Sequence, residues 1–280
     1  MSSLTLFLLI LFAAFLHAIW NIILKYLPDS LVGMGMMNLF QSIIFFPIIF
    51  FIPWPSGVTW YFIIGSVILH NIYFINLGNS YNKNDLTLIY PIARGCAPVF
   101  ITIFSFIVLK ENISLEGMVG ILLVSAALLL LTAEHYKKKF NFYVFKISIF
   151  IALLISIYTL FDTLGVRSSK NTFTYIVWIF FLEGWVTFAY VYLKKKNQLN
   201  KVRLNDVILI GVISFLSFIA YGIILWAYKV MPAGYVASLR ESSIIIATIL
   251  GFFFLKEKVS KVRILSASTF FLGVFLIYHS

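Results

Sequence analysis

The chain has 280 residues, 62% of them hydrophobic and only 11% charged, with a net charge of +11 and a mean hydropathy of +1.02. Soluble domains run near half apolar and about a quarter charged, so a water-facing globular enzyme is excluded. The basic charge sits in short connectors between apolar runs, which argues for membrane topology and against nucleic acid as a partner.

A helix needs about 20 apolar residues to cross the hydrocarbon core. Ten such spans are predicted, beginning with Leu4–Leu24, Leu31–Ile52, Gly57–Ser80, Leu86–Leu109 and Leu115–Ala133. The second five are Val144–Leu164, Thr172–Leu193, Asn205–Tyr228, Ala233–Leu255 and Val262–His279. The first span lacks a basic leader and reads as a retained helix, not a cleaved signal. It carries a short polar-aromatic patch of His17, Trp20 and Asn21. The methionines of "GMGMMN" in the second span read as packing filler. A second polar patch, His70, Asn71 and Tyr73, lies in the third.

The fourth span holds Arg94 inside "IYPIARGCAPVF", where an isolated central arginine costs about 2.5–3.5 kcal/mol on insertion scales. Pro98 removes the N–H that would meet the Arg94 carbonyl, so Pro91, Gly95 and Pro98 mark this helix as bent or locally unwound at the arginine. Irregular backbone at membrane depth belongs inside protein or beside a cavity. The lone Cys96 in the same span rules out a disulfide framework or a cysteine-built metal site.

Further along, Asp162 lies in the sixth span, Glu183 near the middle of the seventh, and Arg240 with Glu241 in the ninth. Glu241 is expected to pair poorly with Arg240, because adjacent helical residues point about 100° apart. Glu183 is therefore the expected partner of an arginine. That pairing is either a structural bridge or leaves the arginine in reach of a ligand. Asn21 and Asn71 suit either inter-helix hydrogen bonding or a ligand. His17 and His70 are either simply hydrogen-bonded or able to carry protons.

Fifteen of the 21 Lys and Arg residues fall in or beside the odd-numbered connectors, and four (Lys110, Arg167, Lys170 and Lys229) in the even-numbered ones. By the positive-inside rule the odd connectors face the cytoplasm and both termini lie outside. An ungapped shift of 146 residues places Arg94 on Arg240, Lys83 on Lys229 and Leu109-Lys110-Glu111 on Leu255-Lys256-Glu257. Ten identities fall within 48 aligned positions. Matches of Ile or Phe are cheap in so apolar a chain, but a matched intramembrane arginine is not. The division predicted is residues 1–136 and 137–280, each a five-helix repeat. Because five is odd, the second copy enters the membrane inverted, as in alternating-access transporters with a site near the midplane. The fold class expected is thus an all-α polytopic membrane protein of ten transmembrane helices in two inverted five-helix repeats.

These residues carry a resemblance. "LHAIWNIILK", "LTLIYPIARGCAPVF…LKE", "YTLFDTLGVR", "FFLEG" and "SLRESSIIIATILGFFFLKE" are similar to the EamA-type branch of the drug/metabolite transporter superfamily. The resemblance implies a central cavity lined by the third, fourth, eighth and ninth helices with parts of the first and sixth. It also implies export. Many members of the family have cytoplasmic termini, whereas the charge count here argues the reverse. The candidate ligand contacts are Arg94, Arg240, Tyr90, Trp20, Asn21, His70, Tyr73 and Tyr158. The candidate coupling or charge partners are Glu183, Asp162, Glu241 and His17.

No catalytic, metal or cofactor motif is present. The expected function is secondary transport of a small anionic or zwitterionic organic metabolite, because guanidinium binds carboxylate and phosphate bidentately. The alternatives are a flippase for an anionic lipid-linked molecule and a membrane-embedded enzyme. The expected setting is the cytoplasmic membrane, with the bilayer, a small-molecule substrate and titrating protons as partners, and the chain acting as a monomer or homodimer.

Overall fold

The computed structural model describes residues 3–83, 86–133, 142–255 and 260–280, and the described residues are helical with no strand. The first half contains α1 (Ser3–Leu24), α2 (Ser30–Phe45), α3 (Gly57–Lys83), α4 (Leu86–Phe104) and α5 (Leu115–Ala133). The second contains α6 (Phe142–Ser168), α7 (Thr172–Lys194), the short α8 (Lys196–Leu199), α9 (Leu204–Val230), α10 (Ala233–Arg240), α11 (Ser242–Leu255) and α12 (Lys261–His279). Among the described residues, nine helical stretches are long and apolar enough to cross a membrane, and the tenth expected span holds the pair α10–α11. The chain is a polytopic all-α membrane protein. The predicted division between residues 136 and 137 lies outside the described residues.

Helix starts are set by local side chains that satisfy the free N–H groups of the first turn. Asp29 Oδ1 accepts from Leu31 N at 2.9 Å and Val32 N at 3.1 Å, while its Oδ2 takes Lys195 Nζ at 2.9 Å. Asn171 caps α7 through Phe173 N, and Ser260 caps α12 through Arg263 N. α4 continues into a π-helical turn at Ser105–Leu109 and stops at Lys110, whose φ of 56° is left-handed.

The helix pairings repeat when the two halves are exchanged. α5 packs on α12, and α2 on α7. The α1–α9 pair is matched by α6–α3, the α4–α6 pair by α10 and α11 on α1, and the α3–α7 pair by α9–α2. Without a hydrophobic force between helices in lipid, close backbone approach matters most. At the α5–α12 seam, a Cβ on Gly120 would lie 2.7 Å from the Gly273 carbonyl, and the reverse contact is equally tight. At the α2–α7 seam, a Cβ on Gly184 would collide with the Asn38 carbonyl and the Ser42 hydroxyl. The outward faces stay apolar and exposed, with Phe51 88% and Phe215 62% accessible, as lipid contact allows.

The expected local unwinding of the fourth helix is corrected. α4 runs continuously through Pro91, Gly95 and Pro98. Nearby, Thr102 Oγ1 donates to the Pro98 carbonyl at 2.8 Å and Ser156 Oγ to the Ala97 carbonyl at 3.3 Å. The absent Cβ of Gly95 instead makes room for Leu128 and Leu129 of α5. The interruption sits in the ninth span, at Glu241 between α10 and α11. There Glu241 N bonds to Ser238 O at 3.1 Å and Ile244 N to Glu241 O at 3.0 Å, a tightened i to i−3 pattern.

Candidate functional site

The break at Glu241 changes the electrostatics of the bundle centre. Glu241 Oε2 lies 2.8 Å from Arg94 Nε and Oε1 lies 3.8 Å from Arg240 Nη2, with all three side chains at most 3% exposed. Glu241, not Glu183, is therefore the partner of Arg94. The expectation failed because Glu241 was weighed only against Arg240, its neighbour in the same span, whereas Arg94 reaches it from the facing helix. Although the pair is close, the N–H directions are poor. Arg94 Nε and Nη2, Arg240 Nε and Nη2, and both Glu241 oxygens make no directed hydrogen bond within the protein. Two guanidiniums thus share one carboxylate, which leaves a local excess of one positive charge and several free donors.

Both arginines line a cavity between the helices. Around them stand His17, Trp20 and Asn21 from α1, His70 and Tyr73 from α3, Tyr90 from α4, Tyr158 from α6 and Glu183 from α7. Tyr90 presents its ring 5.7 Å from the Arg94 guanidinium, a cation–π contact one helical turn away. His70 stacks on Tyr158 with centroids 3.9 Å apart, and His17 meets Trp20 edge-on at 4.9 Å. Asn21 Nδ2 donates to its own-helix carbonyl, His17 O. Asn71 lies away from the cavity lining: it accepts from Thr187 Oγ1 at 2.5 Å and ties α3 to α7. Pro91, Gly95, Pro98 and Glu241 are likewise outside the lining.

Asp162 stands in a second layer. Its Oδ1 accepts from Ser66 Oγ at 2.5 Å and Tyr175 OH at 3.1 Å, and its Oδ2 accepts from Tyr221 OH. His70 Nε2 is 3.9 Å from Oδ2 and its Nδ1 is 3.0 Å from Ser66 Oγ. Four helices therefore converge on one buried carboxylate, and His70 and Tyr221 connect it to the cavity.

The cavity is displaced toward the odd-numbered connectors. Asn21, Leu77 and Tyr90 lie within two turns of the odd-side ends of α1, α3 and α4, whereas Gln41, Phe180 and Arg240 close it near mid-helix or beyond. The even side is clasped shut. Arg167 at the end of α6 donates through Nε to Tyr228 O at 3.0 Å and through Nη2 to Met231 O at 3.0 Å and Glu111 Oε1 at 2.5 Å. Glu111 Oε2 accepts from Ala233 N at 2.9 Å. The ion pair thereby joins the fourth-to-fifth connector to the end of α6, and hydrogen bonds with both partners hold the eighth-to-ninth connector beside them.

Residues 144–279, the stretch from α6 to α12, match the model of the EamA-like transporter family. That half of the chain is similar to the EamA-like transporters. A solved crystal structure described only as that of a protein superposes with a TM-score of 0.73 over 98% of this chain and 96% of its own. At 14% identity, that likeness supports the fold alone. No curated protein matches the sequence significantly. The match supports a membrane transporter of small molecules.

Several of the site residues escaped the sequence reading. Asn38, Gln41, Ser217 and Tyr221 line the cavity. Ser217 and Tyr221 stand four apart on one face of an otherwise apolar span, a readable signal. Arg167 and Glu111 read only as connector charges. The repeated Leu-Lys-Glu terminus was the clue to Glu111, and its counterpart Glu257 lies outside the described residues.

Proposed function

We propose that this protein is a secondary transporter that moves a small anionic or zwitterionic organic metabolite across the cytoplasmic membrane, in the export direction. Alternating access would occur between repeats 1–136 and 137–280. One observation carries the substrate class: two buried arginines converge on a single carboxylate and keep undirected N–H donors beside a cavity. An intramembrane cation in that setting defaults to function, and a carboxylate, phosphate or phosphonate can receive the fork-shaped donor set. A flippase would need the arginines to open laterally to lipid. Arg94 is 2% and Arg240 3% exposed, which favours a soluble ligand reaching them from the odd side. Proton coupling would run through Asp162, which His70 and Tyr221 link to the cavity.

The test is thermal unfolding of the purified transporter against metabolite classes, because a ligand at a hundredfold its Kd stabilises the folded state by about 2.7 kcal/mol. Organic anions or zwitterions should raise the unfolding temperature, and organic cations should not. Stabilisation by cations alone would refute the substrate class. The topology is tested separately. A reporter fused at Ser280 should read as extracytoplasmic and one in "YKKKF" as cytoplasmic, from the connector charge bias. The opposite pattern would reverse the orientation, placing the Arg167 clasp on the cytoplasmic side.

A further inference from the structure

Several of the polar groups left unsatisfied in the bundle gather at the cavity. Besides the arginine donors, Asn38 Nδ2 and Glu183 Oε1 are buried without a hydrogen-bond partner, and both residues line the same cavity. Asn38 is 1% and Glu183 4% exposed. A buried donor or acceptor left unpaired is costly, and native proteins keep few of them. A carboxylate at this depth, remote from the arginine pair that already holds Glu241, calls for another explanation than a strut.

Their placement follows from packing. Gly184 permits α7 to approach α2 so closely that its Cα abuts the Asn38 carbonyl. Gly184 N donates to Ser42 Oγ at 3.2 Å, and Ser42 Oγ donates to Phe180 O at 3.2 Å. This rigid seam presents Asn38 and its neighbour across the seam, Glu183, to the cavity. Arg94 and Arg240 come from a different seam, α4 on α10. The α2–α7 pair makes no extensive contact with the α4–α10 pair. The cavity lies between them, flanked by the rings of Trp20, Tyr73, Tyr158 and Tyr221 from α1, α3, α6 and α9. One wall is basic, the opposite wall holds an acceptor carboxylate and an amide, and the flanks are aromatic.

We infer that Glu183, with Asn38 beside it, forms a second binding pole whose carboxylate receives a cationic or strongly donating group of the transported molecule, such as an ammonium. The ligand is then bipolar, with an anionic group on Arg94 and Arg240 and an amine on Glu183. Glu183 Oε1 accepts from the amine, and Asn38 Nδ2 donates to an adjacent carbonyl or hydroxyl oxygen. This narrows the ligand from any organic anion to a zwitterion read at both ends. It rests on the reading that the arginines take the anionic group.

The experiment compares matched pairs of compounds on purified full-length protein, with thermal unfolding or tryptophan fluorescence as the readout. The probes are L-α-amino acids and ω-amino acids of two to six carbons, each with the monocarboxylate of equal length that lacks the amine. For at least one pair, the amine should tighten binding about tenfold, the scale of one charge-assisted hydrogen bond. Glu183→Gln should reduce that preference toward unity while the monocarboxylate binds as before. Glu183→Asp, which keeps the charge on a shorter arm, should retain a preference shifted to a longer partner and guards against loss through misfolding. Monocarboxylates that bind through Arg94 with no benefit from an amine would overturn the second pole and leave the arginine reading standing. An amine preference that survives Glu183→Gln would also overturn it. If neither member of any pair binds, the arginine reading fails and the second pole with it.

Discussion

Arg94→Ala is expected to abolish transport in proteoliposomes while the protein still inserts and elutes as a single species. The reason lies in the charge count at the bundle centre. Removing one partner of a buried ion pair usually costs about 3–5 kcal/mol, because the other charge is stranded. Here Arg240 stands 3.8 Å from Glu241 and remains as counter-charge, so the loss of Arg94 leaves a neutral pair in place of a stranded carboxylate. Arg94→Lys should recover only part of the flux, since an ammonium cannot present the planar fork. Glu241→Gln should be the more damaging change to stability. It leaves two buried guanidiniums facing each other with no anion on their side of the cavity. Thermal unfolding of the three variants decides the order. If Arg94→Ala unfolds the protein and Arg94→Ala/Glu241→Gln restores both stability and full transport, the arginine is a strut and the substrate reading is wrong.

Arg167→Ala is expected to unlock the even side of the molecule. Arg167 makes two hydrogen bonds to carbonyls at the end of α9 and a charged contact with Glu111, which in turn holds the first N–H of α10. Arg167 is about a third exposed, so water screens part of the ion pair. The carbonyl bonds and the geometry still hold three segments together, and a charge-assisted bond contributes about 1.5–3 kcal/mol. Losing one such bond should raise the population open to the even side by at least about tenfold. The readout is labelling of a cysteine placed at cavity-lining Ser217, in a Cys96→Ser background, by a membrane-impermeant thiol reagent. In the parent, labelling from the even side should be slow. In Arg167→Ala it should accelerate, and Glu111→Gln should reproduce the effect. Equal labelling from the even side before and after the change would show that the barrier lies elsewhere, with α4 and α10 as the next place to look.

Composition and period made most of the fold legible. Apolar runs of span length leave little choice, because a backbone in lipid must satisfy its own hydrogen bonds and does so as helix. The matched Arg94 and Arg240 exposed the repeat, since a charge at depth is too costly to recur by accident. The cavity walls were partly legible for the same reason: Trp20, His70, Tyr73, Tyr90, Tyr158 and both arginines are polar or amphipathic residues in spans that have few. What the order of residues could not supply was which of these groups touch. Glu241 neighbours Arg240 in sequence, yet its closer contact is Arg94 on another helix, and only the interruption at Glu241 turns it there. Proline chemistry pointed to α4 as the helix to unwind, but α4 stays helical while the proline-free ninth span is interrupted. Asn38 and Glu183 become one pole because Gly184 lets two distant helices meet. Arg167 changes from a connector charge to a clasp because α6 ends where α9 and the Glu111 connector converge. Each of these depends on distances between helices far apart in the chain, which local propensity does not encode and tertiary packing alone decides.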